Sequence, residues 1–273
     1  MRDFLRHVYR RCLGRTATYQ LNRWLYSLSL RGLGILNFES DQLSGEAWFL
    51  KRLASVTPHL VAIDVGANVG SYANQLKALA ADAAIFAFEP HPQTFEQLQV
   101  QAVAHNYTAI NQACSDAPGQ LKLYDYASST TGSQHASLHK KVIEQTHGRA
   151  AQAWDVAVTT IDAFCDERRL QTVHLLKIDT EGHELSVLRG AQHSLARGVI
   201  GIIHFEFNEM NVVSRVFFRD FYECLPNYQF YRMLPDGLVP LGPYNPLLCE
   251  IFAYQNIVAV RDDYAGRQAL ING

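Results

Sequence analysis

The chain lacks a long apolar run, a paired cysteine motif, an internal repeat and any large net charge. No segment approaches the ~20 apolar residues of a membrane-spanning helix. The run from Leu25 to Leu36 is interrupted by Ser27, Ser29 and Arg31, so no secretory signal is expected either. The five cysteines (Cys12, Cys114, Cys165, Cys224, Cys249) are scattered, odd in number and without a Cys-x-x-Cys pair. That predicts reduced thiols in a cytoplasmic protein, not a disulfide framework or a zinc site. A net charge of −2 gives no global attraction to nucleic acid. With 48% hydrophobic and 18% charged residues the composition is globular, and 273 residues suffice for one domain plus an appendage.

Lysine is absent from residues 1–38, which hold seven arginines and a single acid, Asp3. This segment carries +6, leaving −8 for the remainder of a chain whose total is −2. Phe4, Leu5, Val8, Tyr9, Cys12 and Leu13 recur at helical period, which predicts an amphipathic helix over residues 3–14 with a basic face. Such a helix can lie on an anionic membrane surface. The same pattern describes a packing helix with a solvated side, the commoner case. Residues 1–44 are therefore read as a basic helical extension, and residues 45–273 as the main domain.

Residues 60–65 form an apolar run of buried-strand type that carries Asp64 and closes at Gly66. From Gly70 the pattern turns helical, with Tyr72, Leu76 and Leu79 at spacings of three and four. Strand, glycine turn and helix together open a nucleotide-type βαβ unit. Gly66 and Gly70, with Asn68 between them, give Gly-x-x-x-Gly, not the Gly-x-Gly-x-x-Gly of dinucleotide sites. Glycine there permits positive φ or close approach of a ligand, and the helix start offers N–H groups to an anion. The next run, residues 84–88, ends in Glu89, placed where such folds set an acid against ribose hydroxyls.

Downstream, a helix is expected over residues 92–105, a third strand over 108–114 and another over 119–126. Residues 127–150 are rich in Ser, Thr and His and read as a long loop or lid. His135 and His139 in it stand four apart, without the helical Glu that a zinc protease motif requires. A strand over 156–160 and a helix near 162–169 follow. The strand from Val173 delivers Asp179 to its carboxyl end within Lys-Ile-Asp-Thr-Glu-Gly-His-Glu, and a helix is expected from about Gly182. Residues 199–205 form the fifth strand, with Glu206 at its end. A helix over 214–225 and closing strands over 228–234 and 251–260 complete the chain. Ligands of open α/β sheets bind beyond the carboxyl ends of the strands, so Asp64, Glu89, Asp179 and Glu206 should converge on one rim. Four such acids are hard to explain as core packing.

In this order, Asp-Val-Gly-Ala-Asn-Val-Gly, Phe-Glu-Pro, Thr-Thr-Ile-Asp and Lys-Ile-Asp-Thr-Glu-Gly-His-Glu resemble the motifs of the FkbM-type methyltransferase family. The resemblance covers roughly residues 45–260. It implies a Rossmann-like class I fold, with a seven-stranded, mostly parallel sheet whose last strand is antiparallel. It also implies S-adenosylmethionine as cofactor and O-methylation of a sugar, glycan or natural product. Asp64, Gly66 and Gly70 would line the cofactor's methionine end, Glu89 would hold the ribose, Asn68 would also contact the cofactor, and Asn111, Ser115 and Asp116 would border the adenine. Asp179, Glu181 and Glu206 would face the acceptor, with Asp179 the first choice as base or orienting group. His204 is a tempting base, although a strand-interior histidine is more often a satisfied core residue. A divalent cation held by the acids would lower an alcohol's pKa, but no ligand pattern supports one. An NAD-dependent dehydrogenase and a non-catalytic Rossmann-like binding module are the rival readings.

Overall fold

The computed structural model describes residues 1–126 and 151–272. The expected loop at 127–150, with His135 and His139, lies outside the described residues. Eleven strands are present among the described residues. They are β1 (Val61–Val65), β2 (Ala84–Phe88), β3 (Thr108–Ile110), β4 (Ala113–Cys114), β5 (Gly119–Tyr126), β6 (Ala151–Thr159), β7 (Val173–Ile178), β8 (Ile200–Phe207), β9 (Tyr228–Leu234), β10 (Gly237–Pro240) and β11 (Gln255–Arg261).

The main sheet runs β10-β9-β11-β8-β7-β1-β2-β3. Strands β3, β2, β1, β7 and β8 are parallel. β11 is wedged antiparallel between β8 and β9. The expected class I sheet with its antiparallel last strand is thus present, enlarged by β10 on the outer edge of β9. The signal for β10 was in the sequence: Pro235-Asp236-Gly237 is a turn signature that makes a hairpin of the two strands. The order departs from β1 in both directions, so the topological switch point lies between β1 and β7, where such sheets bind ligands.

The strand expected over 108–114 is two strands in different sheets. Asn111 Nδ2 donates to the carbonyl oxygens of Glu89 and Pro90 at 2.8 and 3.2 Å. Beyond this tether β4 joins β6 and β5 in a second sheet. The helix expected from Gly182 is also divided, into Glu184–Arg189 and Gln192–Ala196. Gly190 at the break lies so close to Ser115 that a Cβ there would stand 2.0 Å from its carbonyl oxygen. The helix expected over 214–225 becomes Met210–Ser214 and Phe218–Cys224, separated at Arg215 in the left-handed region. Strand β11 begins at Gln255, four residues later than expected.

Alternation along the strands divides the core. One face of the main sheet buries Ile63, Leu176, Ile178, Phe205 and Ile257 against Phe164, Phe218 and Phe221. The other buries Ala62, Leu175, Ile202 and Val258 against Phe49, Leu53, Tyr72 and Leu76 of the helices Glu46–Val56 and Ser71–Leu79. Asp64, Lys177, His204 and Glu206 share the strand parity of this second face. The helical extension comprises Arg2–Leu13 and Tyr19–Gly32. It is attached where Leu30 and Ile35 are buried and Leu36 N–H donates to the Tyr254 carbonyl at 2.8 Å.

Candidate active site

Strand register sets a row of polar side chains into this otherwise apolar face. Asp64 of β1 is directly opposite Lys177 of β7, and Lys177 is opposite His204 of β8. All three are buried. Burial by itself lowers the affinity of the Lys177 ammonium for its proton. The carboxylates of Asp179, Asp64 and Glu46 more than offset that, so its pKa ends raised. Lys177 Nζ donates to Asp179 Oδ2 at 2.9 Å and lies 5.3 Å from the centre of the Tyr72 ring. Both nitrogens of His204 are engaged, Nδ1 with Tyr72 Oη and Nε2 with Asn256 Oδ1, each at 3.1 Å. Burial, and then the Lys177 charge, push its pKa well below the usual imidazole value. His204 is a neutral core histidine.

Of the acids expected on the acceptor side, Asp179 pairs with this lysine, Glu206 feels its charge, and Glu181 acts on Glu206. Asp179 follows β7 and is more exposed than Lys177. Glu206 lies within β8, one residue short of its end, and accepts a hydrogen bond from Asn208 Nδ2. Burial, then the charges of Asp179 and Glu181, raise its pKa well above the usual carboxylate range. Glu181 occupies the left-handed region with φ of 53°, in the turn that follows Asp179. That turn is fixed by Glu184, whose Oε1 accepts from Thr180 N–H, Thr180 Oγ1 and Gly182 N–H at 3.0–3.1 Å. The last acid of the Lys-Ile-Asp-Thr-Glu-Gly-His-Glu element is therefore a turn brace.

On the cofactor side, Gly66 and Gly70 have φ of 82° and 88°. A Cβ on Gly66 would stand 1.8 Å from the Asp179 carbonyl oxygen, and one on Gly70 would stand 2.3 Å from Tyr107 Oη. Both glycines are required by the protein's own packing as well as by φ. Glu89 follows β2, and its carboxylate accepts Asn68 N–H at 3.0 Å and His91 N–H at 2.8 Å. It thereby ties the β1 turn to the β2 turn. Asn111 is bonded to the same segment through the Glu89 carbonyl. Ser115 lies farther along, beyond β4. Its Oγ contacts His183 Nε2 at 2.9 Å and donates to Asp116 Oδ1 at 3.0 Å.

Two buried polar atoms by the β1 turn, Asp64 Oδ2 and Tyr107 Oη, have no hydrogen-bond partner. Burial raises the Asp64 pKa to about 6, with Lys177 lowering and Asp179 raising it. An unpaired buried carboxyl oxygen is costly, and a cationic donor brought by a ligand offsets that cost. The residues present therefore fit S-adenosylmethionine, whose methionine end carries an ammonium for Asp64 and whose ribose suits Glu89. Among the described residues, no group of three or more His, Cys, Asp or Glu is placed to hold a metal ion.

Sequence reasoning missed Glu46, Lys177 and Tyr254. Burial raises the Glu46 pKa to about 7, with Lys177 lowering and Asp179 and Asp64 raising it. Burial, then Glu206, Glu46 and Asp179, raise that of Tyr254. A lysine inside an apolar strand is a readable signal, whereas nothing in the sequence around Glu46 marks its position.

A family profile described as "Methyltransferase FkbM domain" matches residues 64–231. "Methyltransferase 1" of Beauveria bassiana is 30% identical over 141 residues, covering 47% of this chain and 57% of that protein. The "2-O-methyltransferase NoeI" of Sinorhizobium fredii is 23% identical over 195 residues, 66% of this chain and 77% of the relative. The "Hexuronic acid methyltransferase AglP" of Haloferax volcanii is 26% identical over 134 residues, 48% and 50% of the two chains. The alignments thus span between half and about three quarters of the relatives' lengths.

Proposed function

We propose, since the chain belongs to the FkbM methyltransferase family, that it methylates a hydroxyl oxygen of a sugar, glycan or other natural product. The observation that carries this reading is the meeting of Asp64, Lys177, Asp179 and Glu206 at the switch point, beside the glycine turn. S-adenosylmethionine, the donor of this family, supplies a methyl group activated on a sulfonium, and S-adenosylhomocysteine remains after transfer. Asp179, fixed by Lys177, orients the acceptor hydroxyl. As the new O–C bond forms, the hydroxyl proton passes to the Glu206 carboxylate, whose raised pKa makes it a stronger base than an exposed acid. Glu181 borders the same space. Asp64, with the Gly66–Gly70 turn, holds the methionine end, and Glu89, with Asn68, holds the ribose. Asn111, Ser115 and Asp116 lie toward the adenine.

The relatives' names, one a 2-O-methyltransferase and one acting on a hexuronic acid, support a sugar hydroxyl as the acceptor class. The dehydrogenase alternative has neither the Gly-x-Gly-x-x-Gly turn nor the family match in its favour. The test is incubation of the purified chain with methyl-labelled S-adenosylmethionine and a panel of uronic acids, nucleotide sugars, oligosaccharides and polyols. Label in an ether-linked methyl of one acceptor class is the expected result. Tight cofactor binding without transfer to any acceptor in the panel or in cell extract would instead indicate a silent binding module.

A further inference from the structure

The helix Arg2–Leu13 exposes the apolar residues that give it its periodicity. Phe4 is 70% exposed and Leu5 59%, and Val8 and Tyr9 are exposed beside them on one face. Arg6, His7, Arg10 and Arg11 lie on the opposite side of the helix, together with Asp3, which pairs with Arg6 at 3.2 Å. In the helix Tyr19–Gly32, residues Leu21, Trp24, Leu25 and Leu28 form a stripe at i, i+3, i+4 and i+7. Trp24 is 58% exposed, with Leu21 and Leu28 also exposed. The two helices are tied together, because Tyr9 Oη donates to Asn22 Oδ1 and Asn22 Nδ2 donates to the Leu13 carbonyl. Their apolar faces stay open although the second helix is anchored to the main domain through Leu30 and Ile35. A packing helix with a solvated basic side would have buried this face, and here it is not buried.

We propose that this helical pair is a docking surface for an anionic lipid bilayer. Charge selects the occupant. A second copy of the chain would bring one segment of +6 against another, whereas anionic headgroups complement it. The remainder of the chain carries −8, so an anionic surface attracts the helical pair and repels the body, which orients the molecule. The exposed aromatics Tyr9 and Trp24 are of the types that settle at the headgroup level. Leucine and phenylalanine on one side with arginine on the other is the composition of a helix lying in the interface plane. No helix among the described residues is long and apolar enough to cross the membrane, so the attachment is peripheral.

The test is flotation of the full-length chain with vesicles of phosphatidylcholine alone or mixed with phosphatidylglycerol. Binding to the mixed vesicles, weakened by salt, is expected, with little binding to neutral ones. Arg10→Glu with Arg11→Glu should weaken it about 30-fold or more, taking about 1 kcal/mol per basic residue. Trp24 fluorescence should be quenched by brominated acyl chains, and Trp24→Phe should remove that component. Retained affinity for S-adenosylhomocysteine checks that each variant is folded. Failure to bind, equal binding to neutral vesicles, or indifference to the charge reversal would each overturn the proposal. So would a dimer by light scattering that Trp24→Ser dissociates, or tighter binding to RNA than to the anionic vesicles.

Discussion

Lys177 shows how one residue organises a site. It stands in a strand otherwise composed of apolar residues and one histidine, and three carboxylates gather around it. Burial raises the pKa of two of those acids, Glu46 and Asp64, which leaves a pH signature. Glu46 is raised to about 7 from 4.5, so its protonated form is favoured in the fold. Its stabilising contribution is complete below pH ~4 and is lost as pH rises through about 7. Glu46→Gln should therefore leave the melting temperature nearly unchanged at pH 5 and raise it at pH 8, as calorimetry at both values will measure. For turnover the sign is reversed, because a base works when ionised. Glu206→Gln should lower kcat by about 10²–10⁴-fold and remove the rising limb of the pH–rate profile. Asp179→Asn should lower kcat with that limb retained, and both variants should bind cofactor normally. Glu89→Ala should weaken S-adenosylhomocysteine binding by about 1.5–3 kcal/mol in a calorimetric titration, as expected for charge-assisted hydrogen bonds. The acids at the strand ends were legible in the sequence because strand period and fold class together set their rim. Glu46 was not, because its neighbours Lys177 and Asp179 lie more than 130 positions away and no local pattern encodes that encounter.

At the scale of elements, close backbone approaches tie the motifs together. Gly66 abuts the Asp179 carbonyl, so the glycine turn after β1 and the turn after β7 form one packed unit. Asp162, the acid of Thr-Thr-Ile-Asp, accepts the N–H groups of His193 and Ser194 at 2.9 and 2.8 Å and so joins two helices. Gly66→Ala should cost ~2 kcal/mol or more, since positive φ and overpacking each cost about 1–3 kcal/mol. Urea denaturation will measure it, and cofactor affinity should fall with it. The parallel strands and the helices between them were readable from periodicity. The splitting of residues 108–114 was not, because an amide bonded to two distant carbonyls leaves no periodic trace. Edge strand β10 was legible in principle, through the turn residues before it.

For the molecule as a whole, the family match stops short at both ends of the site. Glu46 precedes residue 64, and Tyr254 and Asn256 follow residue 231. The basic extension is a different matter. Within residues 1–18 only Leu13 and Thr18 are even partly buried among the described side chains. A chain beginning at Tyr19 should bind S-adenosylhomocysteine with unchanged affinity in titration. Truncation past residue 38 would strip Ile35 from the core, and loss of a buried isoleucine side chain alone costs about 2–5 kcal/mol.

The placement of β11 also governs how this protein is made. Strands β1, β2, β3, β7 and β8 can pair as they emerge, but β8 and β9 are joined only through a strand that ends at Arg261. Until that segment leaves the ribosome, β8 presents an open, apolar edge to its surroundings. Nascent chains expose such edges to mispairing and to chaperones, and here the vulnerable interval runs from the emergence of Phe207 to that of Arg261.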